Sequence, residues 1–188
     1  MNTQAPTTLL ECETALEHIS AAPKDGAVIE ELCFRPSFSA RAFPTEIDIT
    51  KAHGIAGDRW RTHPWLKLSN GDPDPRIQVS ILSKRVMDLC WRDRINTPHP
   101  GDLLVVDMDL SEDNLPVWSI LSAGNAKIEV SDQFNTACVK WRRRYGEDSF
   151  KWINLPENKR LRLRGVLCRV VQDGTIKVGD KLQKETPR

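Results

Sequence analysis

The sequence is short of most features that would assign it quickly. Its five cysteines, Cys12, Cys33, Cys90, Cys138 and Cys168, include no C-x-x-C pair, and their odd number suits neither a disulfide framework nor a tetrahedral zinc site. The four histidines, His18, His53, His63 and His99, lack the i, i+4 spacing that sets two ligands on one helical face, which argues against a histidine-based metal centre. Lys and Arg total 27 against 26 Asp and Glu. With charge so balanced, nothing draws the chain generally to nucleic acid or to a membrane, and any anion site must be local. No apolar run approaches the roughly 18 residues that cross a bilayer. The first twenty residues carry acids where a signal peptide carries basic residues, so a cytoplasmic location is expected. A phosphate-binding G-x-x-x-x-G-K-[ST] loop, a dinucleotide glycine fingerprint, a G-x-S-x-G elbow and an H-E-x-x-H helix are all missing, which removes the common nucleotide, hydrolase and zinc-protease readings.

What is present fits one domain. A chain of 188 residues with 39% hydrophobic content can bury one good core and hardly two. Leu9, Cys12, Leu16 and Ile19 recur at helical spacing, which predicts an amphipathic helix over 8–20 within an N-terminal extension spanning 1–25. From Gly26 the period becomes two. Strands are predicted where Val28, Leu32 and Phe34 alternate with Ile29, Glu31 and Cys33, around Ile47 and Ile49, over 76–82, over 103–108 and over 126–130. Ser83 is placed to cap a helix carrying Val86, Leu89 and Cys90. The clearest hairpin signal is Asp173-Gly174 between the apolar runs LRLRGVLCRVV and IKVGDKL. Many short strands with few helices predict a mainly β fold, a barrel with peripheral α-helices, over 26–182, followed by a frayed tail over 183–188.

Three segments gather chemistry. In the first, Cys138 opens a predicted helix and is followed by Lys140, Arg142, Arg143 and Arg144. A helix N-terminus and nearby cations favour thiolate, the form that ligates soft metals or carries sulfur. Asn135 or Thr136 is placed to cap that helix, and Arg142 lies one turn beyond the cysteine. The second is Gly54-Ile55-Ala56-Gly57-Asp58-Arg59-Trp60, where glycines permit close backbone approach to a ligand ahead of a carboxylate and a guanidinium; an Asp-Arg pair closing a loop explains it equally well. The third is Asp72-Pro73-Asp74-Pro75-Arg76 at the start of a strand. Downstream, Arg160, Arg162 and Arg164 would share one strand face, with Arg164, beside Gly165, the best placed to reach a ligand. His63 and Trp65 are expected to pack locally.

Taken together, Gly57-Asp58-Arg59-Trp60, Arg76-Ile77-Gln78-Val79-Ser80, Asp107 to Ser111 with Asn114-Leu115-Pro116, Thr136-Ala137-Cys138, and Leu163 to Val166 with Gly174 to Asp180 resemble the MOSC domain, named for the C-terminal domain of molybdenum-cofactor sulfurase. The resemblance covers 26–182. It implies a barrel that binds the molybdenum cofactor, a molybdopterin, with Cys138 as molybdenum ligand and catalytic residue or as sulfur carrier. It further implies Arg59 and Arg76 at phosphate or pterin, joined as cofactor-binding candidates by Asp58, Thr136, Arg142 and Arg164. Pyridoxal phosphate belongs to a separate domain of the sulfurase and is not expected here. The implied activities are reduction of N-hydroxylated compounds with an external electron donor, or carriage of sulfur received from a donor protein; a non-catalytic interaction role is a further alternative. Where close bacterial relatives read Pro-His-Thr-Gly-Cys, this chain has Phe134-Asn135-Thr136-Ala137-Cys138.

Overall fold

A computed structural model describes residues 4–185. Its centre is a closed seven-stranded barrel built from β1 (Ala27–Leu32), β4 (Val79–Ser83), β5 (Leu104–Val106), β6 (Ile120–Ala123), β7 (Ala126–Val130), β8 (Val166–Gln172) and β10 (Lys181–Lys184). The order around the barrel is β1-β10-β6-β7-β8-β4-β5, and β5 returns to β1. Every pairing is antiparallel except β4 with β5, whose crossover carries helix α3 (Lys84–Cys90). A second sheet, β3-β2-β9, joins β2 (Glu46–Thr50), β3 (Gly54–Ile55) and β9 (Gly174–Lys177).

Alternation along the strands builds the core, as in β7, where Ala126, Ile128 and Val130 are buried and Lys127 and Glu129 are less so. Ile29, Val79, Ile81, Leu104, Leu121, Ile128 and Cys168 are fully enclosed in this cluster. Side chains therefore fill the barrel. A helical layer packs outside. Helices α1 (Leu9–Thr14), α2 (Leu16–Ser20), α4 (Val139–Tyr145) and α5 (Glu147–Asn154) share with α3 a second cluster containing Cys12, Val86, Cys90, Trp141 and Trp152. The N-terminal segment thus packs through α1 on α5 and through α2 on α3, and Thr8 with Glu11 forms a reciprocal capping box at its start.

Four local expectations are corrected. In β1 a register shift between Ile29 and Glu31 changes the phase, so Ile29 and Leu32 are both buried and Val28 faces out. Residues Pro75–Ile77 form a 3-10 turn, because Asp74 accepts the Arg76 N–H at 2.9 Å, and the strand begins only at Val79. Ser83 occupies the helix cap position but its hydroxyl makes no capping bond.

The fourth concerns Asp173-Gly174. The strands on either side of it, β8 and β9, do not pair with each other: β8 lies between β7 and β4, and β9 joins β2. Asp173 instead accepts the Lys51 N–H, and the chain crosses the tight turn at Gly124-Asn125, where the Asn125 side chain accepts the Thr175 N–H. That turn, between the paired Ala123 and Ala126, is the two-residue hairpin of this barrel. Strand β10 runs to Lys184 and the Glu185 N–H bonds Ile120, past the expected start of the tail at 183; residues 186–188 lie outside the described residues.

Candidate functional site

Cys138 is the N-cap residue of α4, and of the five free cysteines it alone is exposed. Its surroundings explain why. Asn154 brackets the preceding Ala137, accepting its N–H at 3.1 Å and donating to its carbonyl at 3.0 Å, so Ala137 is held in the core and the next side chain turns outward. Asn135 does not cap the helix but donates to the Arg164 carbonyl at 3.0 Å, while Thr136 is exposed and makes no described side-chain bond. The Cys138 carbonyl accepts the Arg142 N–H at 3.1 Å and starts the helix.

Burial separates the other thiols chemically. Loss of solvent pushes Cys12 up to about 11 and Cys33 up to about 12, and raises Cys90 and Cys168 further. These four are held as inert thiols. Treating the native protein with iodoacetamide is therefore expected to add one label per chain, at Cys138, and none in Cys138→Ala; peptide mass mapping reads the result.

Helix α4 is clamped from beneath. Trp141 and Tyr145, one turn apart, stack edge to face with ring centres 4.6 Å apart; the Trp141 N–H reaches the Ser149 hydroxyl and the Tyr145 hydroxyl the Pro98 carbonyl at 2.7 Å. The Arg164 guanidinium lies 4.9 Å from the Trp141 ring centre and donates to both oxygens of buried Asp102 at 2.9 Å. Arg164 thus supports the cysteine helix through an ion pair. Gly165 makes the bend possible: at φ +87°, its Cβ would lie 2.0 Å from the Ile81 carbonyl oxygen. The expected strand face of Arg160, Arg162 and Arg164 is not formed. Arg160 lies within a 3-10 stretch over Pro156–Leu161, Arg162 is left-handed at φ +48°, and β8 starts at Val166.

The Gly-Asp-Arg loop and the cysteine helix meet at Phe38. The Arg59 guanidinium lies 5.0 Å from the Phe38 ring centre and the Lys140 ammonium 5.9 Å, with the His63 ring edge-on at 5.2 Å. Asp58 is buried and fixes this loop by accepting the Arg35 and Trp60 N–H groups at 2.8 and 2.7 Å. Its charged neighbour is Arg35, at 3.4 Å, which leaves Arg59 bonded only to the His63 carbonyl. Burial, then the nearby Arg35 charge, lowers the Arg59 pKa. Arg41 is similar: it donates to the carbonyls of Ala40, His99 and Pro100, and burial, then Arg144, lowers its pKa. Gly101, at φ +90°, leaves room for it, since a Cβ there would stand 2.5 Å from its Nε. Among the described residues, Arg41, Arg59, Lys140, Arg143 and Arg144 have no carboxylate partner, so the face carrying Cys138 is electropositive in an otherwise balanced chain.

Two sequence candidates are engaged elsewhere. Arg76 grips Asp74 through both nitrogen positions, at 2.7 to 3.1 Å, and Asp132 at 3.1 Å; the same contacts hold the Asp74 carboxyl below its ordinary range. Arg142 faces Glu147 at 3.6 Å and the Phe150 ring at 5.6 Å. The sequence does not single out Arg35, Arg41, Phe38 and Lys140 as members of this candidate site. Of these, only Lys140, two residues beyond the cysteine, carried a local signal.

A small closed barrel with a helix seated on its side and a lone exposed thiol at that helix's start defines a class of β-barrel domain. The sequence model of the MOSC domain matches residues 75–183, and the chain belongs to that family. The fold is shared with the YuaD protein of Bacillus subtilis (18% identity, TM-score 0.57, 86% of this chain and 97% of that one). It is shared also with YiiM of Escherichia coli (16% identity, TM-score 0.53, 86% and 71%) and with a hypothetical protein (18% identity, TM-score 0.58, 87% and 70%). No curated protein matches the chain. Among the described residues no helix is long and apolar enough to cross a membrane.

Proposed function

We propose that this MOSC protein binds the molybdenum cofactor at the Cys138 face and acts as an oxidoreductase on small N-hydroxylated compounds. The observation that carries the reading is the meeting of Arg59 and Lys140 across Phe38: it ties the Gly-Asp-Arg loop to the helix that opens with the exposed thiol. The donor set fits the group. A thiol suits a soft metal, and guanidinium groups lacking carboxylate partners suit a phosphate. Cys138 would ligate the metal, Arg59 and Lys140 would hold the anionic end, and Arg41 would add charge. Asp58 orients Arg35, and Arg164 keeps the helix in place through Trp141. When bound, the cofactor supplies two-electron oxygen-atom chemistry. The electrons would come from a separate protein, since the sequence carries no flavin, haem or iron-sulfur signature.

The open position of Cys138 favours one second reading, a carrier whose thiol receives sulfur from a donor protein and presents it to another enzyme. One preparation separates the two. Protein purified from a host that makes molybdopterin is expected to contain molybdenum and pterin and to reduce benzamidoxime with an artificial electron donor. Metal without reduction would favour the carrier; absence of metal, pterin and bound sulfur would overturn both.

A further inference from the structure

A cavity of about 160 Å³, whose lining does not include Cys138, lies between the segment that leaves β7 and the turn that enters β8. It is on the order of ten times the space that holds one water. Its cationic wall is Arg162 and Lys159, and its apolar wall includes Val117, Phe134 and Leu167. Arg162 is the unusual member. It is only 6% exposed, it adopts a left-handed backbone that L side chains rarely take, and among the described residues its side chain makes one hydrogen bond, to the Leu115 carbonyl. Glu112, also at the rim, stays 3.9 Å from its Nε, outside hydrogen-bond reach and partly exposed. Asp132, the other acid in the lining, is taken by Arg76. A buried guanidinium with donors to spare, facing a cavity with an apolar side, is the arrangement that binds a planar oxyanion carrying a hydrocarbon body.

We propose that this cavity is a binding site for a small carboxylate, with Arg162 gripping the carboxylate group, Lys159 adding charge at the rim, and Val117, Phe134 and Leu167 taking the hydrocarbon end. Asn135 lines the same cavity and is three residues from Cys138, so occupancy would touch the segment that presents the thiol. The site does not depend on the molybdenum reading, because none of its anchoring groups belongs to the cationic face around Phe38.

Isothermal titration of the purified chain with benzoate, its uncharged analogue benzamide and inorganic phosphate tests the proposal. Benzoate is expected to bind saturably and at least tenfold more tightly than either of the others. Arg162→Gly, which keeps the left-handed backbone relaxed, is expected to lose at least tenfold in benzoate affinity. Lys159→Ala, at an exposed residue, is expected to lose severalfold. Cys138→Ala and Arg59→Ala are expected to bind as the parent does. No benzoate binding, equal binding of benzamide, or tighter binding of phosphate would each overturn the assignment. So would full affinity in Lys159→Ala together with loss in Arg59→Ala, which would move the ligand to the Phe38 face. Should Arg162→Gly not fold, the Lys159→Ala and Arg59→Ala pair decides alone.

Discussion

Protein carrying Cys138→Ala and made in a host that supplies molybdopterin is expected to retain at least tenfold less molybdenum per chain than the parent. The substitution removes the only exposed thiol among the described residues, and the remaining four are enclosed and held protonated. The variant should fold as the parent does, since Cys138 makes no side-chain hydrogen bond and exposed substitutions of this kind usually change stability by less than about 0.5 kcal/mol. Metal analysis on folded protein reads the outcome, and Arg142→Ala, whose side chain faces Glu147 and Phe150, serves as the control that keeps its metal. Molybdenum unchanged in Cys138→Ala would remove this residue as ligand.

The largest stability effect is expected at Asp102. Its carboxylate is 1% exposed and receives both contacts from one Arg164 nitrogen, whose guanidinium also covers Trp141 under the cysteine helix. Asp102→Ala leaves that cation without a carboxylate in a partly buried place, a loss on the order of 3–5 kcal/mol. The urea midpoint should fall accordingly. Pairing the change with Arg164→Leu is expected to recover a large part of the loss, because the stranded charge goes too. A loss in Asp102→Ala below about 1 kcal/mol would show that the pair does not clamp the helix. The double variant also separates clamp from charge: if it folds well yet exposes Cys138 differently to iodoacetamide, Arg164 acts by positioning α4.

Much of this architecture was readable from the residues, and the failures have physical causes. Period-two alternation located β2 and β7 because each keeps one face in the core, whereas β4 is buried on both faces and starts only at Val79. It misjudged β1 because a bulge reverses the phase within six residues. The Asp173-Gly174 signal was local and real, but pairing partners are set by the whole sheet: β8 already lies between β7 and β4, which leaves no edge for β9. Arg160, Arg162 and Arg164 alternate with leucines as a strand would, yet Pro156 starts a 3-10 stretch that carries the chain to a left-handed Arg162. Of the site, Cys138 and Arg59 were legible as a thiol among cations and as part of a glycine-bounded loop. Arg35, Arg41 and Phe38 were not, since they lie about a hundred residues from the cysteine in a segment without periodicity, and only the fold brings Phe38 between Arg59 and Lys140.

The wandering path of the last strands has a temporal consequence. Strand β9 completes the sheet whose strands lead into the Arg59 loop, and β10 then seals the barrel by pairing Leu182 with Ala27. The barrel therefore cannot close until β10 is available to pair with β1, and such distant pairings form slowly. The barrel that carries both the Arg59 loop and the cysteine helix is thus closed late, by the joining of segments more than 150 residues apart.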